Sequence, residues 1–138
     1  MASKYNHEGY YDPTAYFALK RIETEEKKSR YRPMVYICSP YSGDIYDNVL
    51  KARKYSRFAV ESHCIPVTPH LFFPQFMNDS NPEERDLAMF MNRAVLGKCE
   101  ELWVFGDRVS AGMKQEIRRA AYKRMKIRYF TEELEELR

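Results

Sequence analysis

Residues 101–117, ELWVFGDRVSAGMKQEI, constrain this chain more than any other stretch. Leu102, Trp103, Val104 and Phe105 form an apolar run of strand type, Gly106-Asp107 interrupts it, and apolar positions then return at helical spacing at Met113, Ile117, Ala120 and Ala121. The reading is strand, loop, helix. In a parallel α/β sheet, the loop that leaves the C-terminal end of a strand and enters a helix is where ligands bind. Ser110 and Gly112 sit in that loop with side chains small enough to let a ligand reach the backbone, and Glu116 falls in the first turns of the helix.

The same grammar recurs along the chain. Residues 33–38, PMVYIC, read as a buried strand that empties through Ser39-Pro40-Tyr41-Ser42-Gly43-Asp44 into a helix from about Ile45 to Ser62. Residues 64–67 form a second short strand, with Thr68-Pro69-His70 at its end. Asn81-Pro82-Glu83-Glu84 is a helix start, with a capping residue, proline at the first helical position and an acid three residues after the cap. That helix runs through Leu87, Met91, Ala94 and Val95 to about Lys98, and is the crossover into the strand at 101–105. Lys126–Phe130 reads as a fourth strand, and Thr131-Glu-Glu-Leu134 as the capped start of a short C-terminal helix. Ahead of all this, residues 1–13 are polar and aromatic; Asp12-Pro13-Thr14 then opens a helix that ends in the charged run Glu23 to Arg30. The expected architecture is a three-layer α/β sandwich around a mostly parallel sheet of four or five strands, of flavodoxin-like or Rossmann-like order. Residues 1–32 form an N-terminal extension with one helix, and residues 33–138 a single domain.

Whole-chain properties narrow the function classes. At 138 residues, 44% apolar, the chain supports one domain with a proper core. A formal charge of +3, from 23 basic and 20 acidic residues, allows a small anionic ligand but argues against a nucleic-acid polymer as partner. No apolar run approaches the roughly 20 residues needed to cross a bilayer and no apolar signal core opens the chain, so the expectation is a soluble cytoplasmic protein. Cys38, Cys64 and Cys99 are odd in number and lie in or beside apolar segments, as small core hydrophobes of a reducing compartment. With His7, His63 and His70 as the histidines and no CxxC pair, neither a metal nor another cofactor is expected.

Each candidate residue has a structural reading and a functional one. An acid near a helix N-terminus such as Glu116 is favoured by the macrodipole alone, by a few tenths of a kcal/mol. The 39–44 loop lacks both GxGxxG and GxxxxGK[ST], which excludes the dinucleotide and P-loop readings, although its backbone N–H groups suit an anion and Gly43 permits close approach. A histidine after a strand, such as His70, is more often a hydrogen-bonded structural residue than a catalytic one. Residues 71–77, LFFPQFM, are too aromatic for a freely solvated loop; they form a lid over the site or bury against a partner.

Ser110-Ala-Gly112-x-x-x-Glu116, after a strand and before an Ala-rich helix, resembles the nucleophile segment of the nucleoside 2-deoxyribosyltransferase-like superfamily. The resemblance runs in order over roughly residues 33–130 and is nearest to an uncharacterised, DUF4406-like branch of small bacterial and phage proteins. It implies a 2-deoxyribosyltransferase or nucleotide N-glycohydrolase in which Glu116 attacks the anomeric carbon of the sugar and Ser110 helps hold the nucleotide. Ser39, Tyr41, Ser42, Gly43 and Gly112 become substrate-binding candidates, and His70 a residue facing the substrate. One position departs from the pattern. Nucleotide-cleaving relatives carry an Asp about 24 residues before the Glu, and this chain has Asn92 there. An amide holds a hydrogen bond but delivers no proton at neutral pH. Asp86 lies off the Asn92 face of the helix, where Arg85 and Met89 are the neighbours. The PGG-G-T-x-x-E loop of the cytokinin-releasing phosphoribohydrolases is not reproduced. Two further functions stay open: a catalytically inactive nucleotide-binding module, and a protein-interaction domain with a vestigial pocket. The resemblance also implies a homo-oligomer, since relatives build their sites across a dimer.

Overall fold

The computed structural model describes residues 13–138, leaving aside the side chains of residues 27–29. The reading of residues 1–12 lies outside the described residues. The chain divides into two compact units, Met1–Arg32 and Pro33–Arg138. In the first, α1 (Thr14–Arg30) starts after Pro13, whose carbonyl accepts from the Phe17 N–H at 2.9 Å. Phe17, Leu19 and Ile22 are exposed on it.

The second unit runs β1 (Met34–Cys38), α2 (Ile45–Glu61), β2 (Ile65–Val67), two 3-10 turns (Pro69–Leu71 and Phe73–Gln75), α3 (Pro82–Leu96), β3 (Glu101–Phe105), α4 (Ala111–Tyr122), β4 (Lys126–Phe130) and β5 (Glu136–Leu137). Its five-stranded sheet has the order β2-β1-β3-β4-β5. The first four strands are parallel, and β5 adds antiparallel to β4. This is an α/β fold with the flavodoxin-like strand order, in which the chain reverses direction across the sheet between β1 and β3. Among the described residues no helix is long and apolar enough to cross a membrane.

Successive strand residues face opposite sides, so each central strand feeds two cores. Val35, Ile37, Trp103, Phe105 and Phe130 pack with Tyr55 and Ala59 of α2. Tyr36, Cys38, Leu102 and Val104 pack with Leu96 of α3 and with Met113 and Ala120 of α4. Continuous apolar runs such as 102–105 are therefore buried on both faces, as a parallel sheet covered by helices requires. The α2 side is largely aromatic: Phe105 stacks on Tyr55 with centroids 4.2 Å apart and on Phe130 at 5.0 Å. All three cysteines are buried.

Local capping sets the helix starts. Asn81 accepts from the N–H groups of Glu83 (2.9 Å) and Glu84 (3.4 Å), with Pro82 following it. Asp44 accepts from the Asp47 N–H at 3.2 Å.

The C-terminus differs from the sequence expectation. Residues 131–138 contain no helix; they form a turn and the short strand β5. Thr131 does bond backbone with its hydroxyl, but the donor is the Glu135 N–H (3.1 Å), and the Thr131 N–H donates to the Glu135 carbonyl (2.8 Å). Leu134 takes φ 72°, reverses the chain and packs against the α2-side core. A helix of so few residues gains little by itself, whereas the hairpin gains ladder bonds and a two-pronged Arg128–Glu136 contact with both N···O distances 2.7 Å.

Candidate functional site

A cleft of about 350 Å³ opens on the α3/α4 side of the sheet at the C-terminal ends of β1 and β3. Ser39, Tyr41, Ser42, His70, Asn92, Ser110, Gly112 and Glu116 all line it, although they come from five separate segments. The reversal of strand order between β1 and β3 brings these segments together: the loops after the two strands diverge there and leave a crevice. Gly43 is not on the cleft wall. Its φ of +98° turns the chain toward the Asp44 cap of α2, and the group nearest to where its Cβ would stand is the Arg108 guanidinium, at 3.9 Å.

The loop after β1 is held from below. Asn48, buried on α2, donates from Nδ2 to the carbonyls of Tyr41 (3.0 Å) and Ser42 (2.9 Å). Ser39 is buried and its Oγ lies 3.0 Å from His70 Nε2, while the Tyr41 ring meets the His70 ring edge-on with centroids 6.3 Å apart. Burial lowers the His70 pKa to about 4, so its imidazole is neutral at physiological pH. On the other side of the cleft, Ser110 caps α4, its Oγ accepting from the Met113 N–H at 3.3 Å. The N–H groups of Ala111 and Gly112 are left without intrahelical partners, and both residues line the cleft. Nothing lies within 4 Å of where a Gly112 Cβ would stand.

Glu116 reaches the cleft floor from α4. Burial pushes its carboxyl up to about 7, against the opposing pull of a hydrogen bond from the Tyr36 side chain. Tyr36 is itself raised far above the usual phenol range, by burial and then by the Glu116 charge, so it remains a donor. The Cys38 thiol, on the same face of β1, is raised for the same two reasons and stays neutral. At neutral pH the floor of the cleft thus holds one carboxyl group balanced between its two protonation states, beside a phenol and a thiol that keep their protons.

From α3, Arg85, Ala88, Met89 and Asn92 form one face along the cleft. Asn92 Oδ1 is buried without a hydrogen-bond partner among the described residues. Asp86 is not on the wall, but Asp79 is, from the loop ahead of α3. Phe73 and Pro74 of the aromatic 71–77 segment line one side, and Phe76 of the same segment is 68% exposed.

Sequence reasoning did not select Tyr36 or Asp79 for the site, and named Arg85 only as a helical neighbour. A signal for Tyr36 existed: two residues before Cys38 it shares that face of β1, and a buried tyrosine needs a partner for its hydroxyl. Asp79 carried no comparable signal, since a loop carboxylate is ordinarily a solvated one. Among the described residues, no three His, Cys, Asp or Glu side chains are grouped to hold a metal ion.

Comparison with solved structures gives the fold a relative. The chain superimposes on a 2-deoxyribosyltransferase from the psychrotolerant bacterium Bacillus psychrosaccharolyticus, described as a biocatalyst for nucleoside synthesis, with a TM-score of 0.56 and 15% sequence identity over 71% of this chain and 72% of that one. At that identity the likeness establishes a shared fold. No curated protein matches the chain by sequence. A family of domains of unknown function matches residues 33–130, from the start of β1 to the end of β4, so the family is DUF7768, where the uncharacterised branch expected from the sequence was a DUF4406-like one. That match takes in both loops, α3 and α4, and with it every segment of the cleft: the chain belongs to the DUF7768 family.

Proposed function

We propose that this protein breaks or exchanges the N-glycosidic bond of a nucleoside or nucleotide, with Glu116 as the nucleophile. The observation that carries the reading is the Glu116 carboxyl lining a cleft of about 350 Å³ beside Tyr36 at the C-terminal ends of the strands, where burial raises its pKa to about 7. That volume is within the range of small-molecule sites. The fold shared with a 2-deoxyribosyltransferase supports the same reading.

In the first step a Glu116 oxygen bonds to the anomeric carbon as the C–N bond breaks, and the electron pair leaves with the base nitrogen, which takes up a proton. In the second, the nitrogen of an acceptor base, or water, attacks the same carbon and releases the carboxylate. Tyr36 orients the carboxylate by occupying one of its oxygens. The free N–H groups at the start of α4, with Ser42 and Arg85, suit sugar hydroxyls or a 5′-phosphate. His70 is neutral above about pH 4 and Asn92 has no acidic proton, so neither protonates the departing base by ionising. The proton comes from the Tyr41 hydroxyl or from water, and the substrates are those whose base leaves readily.

A second reading is favoured by one observation. The unpartnered Asn92 Oδ1 is an acceptor that a bound base can satisfy, so the cleft is suited to capture a nucleotide without cleaving it. Incubation with a panel of ribo- and deoxyribonucleosides and their monophosphates, with free base measured by chromatography, separates the two. Base release that disappears in Glu116→Gln and rises in Asn92→Asp supports the glycosidic reading. Thermal stabilisation by a nucleotide without release from any member of the panel rejects it in favour of a binder. The homo-oligomer implied by the resemblance belongs to the same proposal, and light scattering on the purified chain tests it.

A further inference from the structure

At the opposite end of the α3/α4 layer, where both helices finish, lies a second cavity that the glycosidic reading does not use. It measures about 440 Å³ and is lined by Phe90, Arg93, Ala94, Gly97, Lys98, Arg119 and Lys123. Four of the seven are cations and none is an acid. None of the four makes a salt bridge among the described residues, although Lys51, Arg57 and Arg128 elsewhere do. Helix C-termini attract cations, each such contact stabilising by about 0.3–1 kcal/mol. That accounts for Arg93 and Arg119, which stand in the last turns of their helices. It does not account for four like charges lining one hollow, where their repulsion works against the dipole term.

One further observation points to an anion. Arg119 Nε is buried without a hydrogen-bond partner, while its guanidinium lies over the Tyr122 ring at 5.5 Å. A buried N–H of a charged group left unsatisfied is costly, and an oxyanion is its usual complement. Lys123 Nζ stands against the end of α3, 2.7 Å from where a Cβ on Gly97 would lie.

We propose that this groove binds the phosphate chain of a small oligophosphate anion, with Arg93, Lys98, Arg119 and Lys123 as its ligands. A single phosphate carries too little charge to neutralise four cations, whereas a di- or triphosphate matches them. The source is either an inorganic oligophosphate or the phosphate tail of a nucleotide; in the second case Phe90, 60% exposed at the groove, is placed to cover the base.

The test is calorimetric titration of the full chain with inorganic phosphate, sodium tripolyphosphate, a nucleoside triphosphate and a short single-stranded oligonucleotide. Saturable tripolyphosphate binding, about tenfold or more tighter than phosphate and weakened by added salt, is expected. In Lys98→Ala/Lys123→Ala it weakens about tenfold or more, with the thermal midpoint not lowered appreciably, because both side chains are exposed and their mutual repulsion is relieved. A nucleoside triphosphate that binds tighter than tripolyphosphate, and loses affinity in the double variant, identifies the nucleotide as the source; equal affinity identifies the phosphate chain alone. Absence of saturable tripolyphosphate binding, equal binding by the double variant, or binding of the oligonucleotide only, overturns the proposal. None of these readouts depends on Glu116.

Discussion

Replacing Glu116 by Gln should make the protein more stable, and increasingly so as the pH rises. The carboxyl titrates near 7 when folded and near 4.5 when free. The folded state therefore holds its proton more tightly than the unfolded chain, and stability is lost as pH climbs through that window. Each pKa step is about 1.4 kcal/mol, so the 2.5-unit gap between 4.5 and 7 corresponds to ~3 kcal/mol lost by pH 8. Gln does not ionise, and its carbonyl still accepts from Tyr36. His70 acts in the opposite direction over an overlapping range: free histidine titrates near 6.5 and the folded residue near 4, so its contribution is lost as pH falls. The two slopes oppose one another in the unmodified protein, but the His70 part cancels when variant and parent are compared at each pH. Urea unfolding of both at pH 5, 6, 7 and 8 gives that difference. The advantage of the variant should be under about 1 kcal/mol at pH 5 and approach about 3 kcal/mol at pH 8. A difference that does not vary with pH, or a variant less stable than its parent at pH 8, refutes the account of Glu116 as a carboxyl held against its desolvation.

Tyr36→Phe removes the hydrogen bond that favours the charged carboxylate, so the Glu116 titration should move upward by about one to two pKa, from a charge-assisted bond of about 1.5–3 kcal/mol. Carbon-13 NMR of labelled glutamate carboxyls reads it directly, and an unchanged midpoint would show that Tyr36 does not hold Glu116. Asn81→Ala deletes the cap on the Glu83 and Glu84 N–H groups and should cost about 1 kcal/mol in urea unfolding, without altering ligand binding in the cleft. Arg128→Ala removes the contact with Glu136 and the cation lying over Trp103 (4.8 Å) and Phe130 (5.3 Å). Because the pair is about one third exposed, the loss should be about 1–2 kcal/mol, with faster amide exchange confined to β5 and its partner residues in β4.

Much of the candidate site can be read before any coordinates exist. Ser39, Tyr41 and Ser42 follow one apolar strand and Ser110 and Gly112 follow another, and small or polar residues in such positions mark strand-to-helix loops. Parallel strands deliver those loops to one edge of the sheet, so the sequence order already implies that they are neighbours. Glu116 follows the second loop into the first turns of a helix, and Asn92 is marked only by the resemblance, at the relatives' offset from that Glu. Gly43 shows where this reasoning stops. A glycine on a cleft wall and a glycine at a chain reversal look alike in sequence; this one takes a φ of +98° beside the α2 cap and is not among the residues lining the cleft.

What the sequence by itself determined is whatever depends on period and on nearest neighbours: four parallel-type strands, the helices between them and the Asn81-Pro82 cap. Those are short-range preferences, legible in a dozen residues at a time. Only the tertiary structure decided which polar groups are sealed away from water and against what. It paired Tyr36 with Glu116 and held that carboxyl near neutrality, kept His70 uncharged, left Asn92 Oδ1 without a partner and brought Asp79 and Arg85 to the same wall. It also turned residues 131–138 into a hairpin, because the free edge of β4 offered bonds that so short a helix could not match. Desolvation and edge pairing come from groups distant in the chain, so no local pattern contains them.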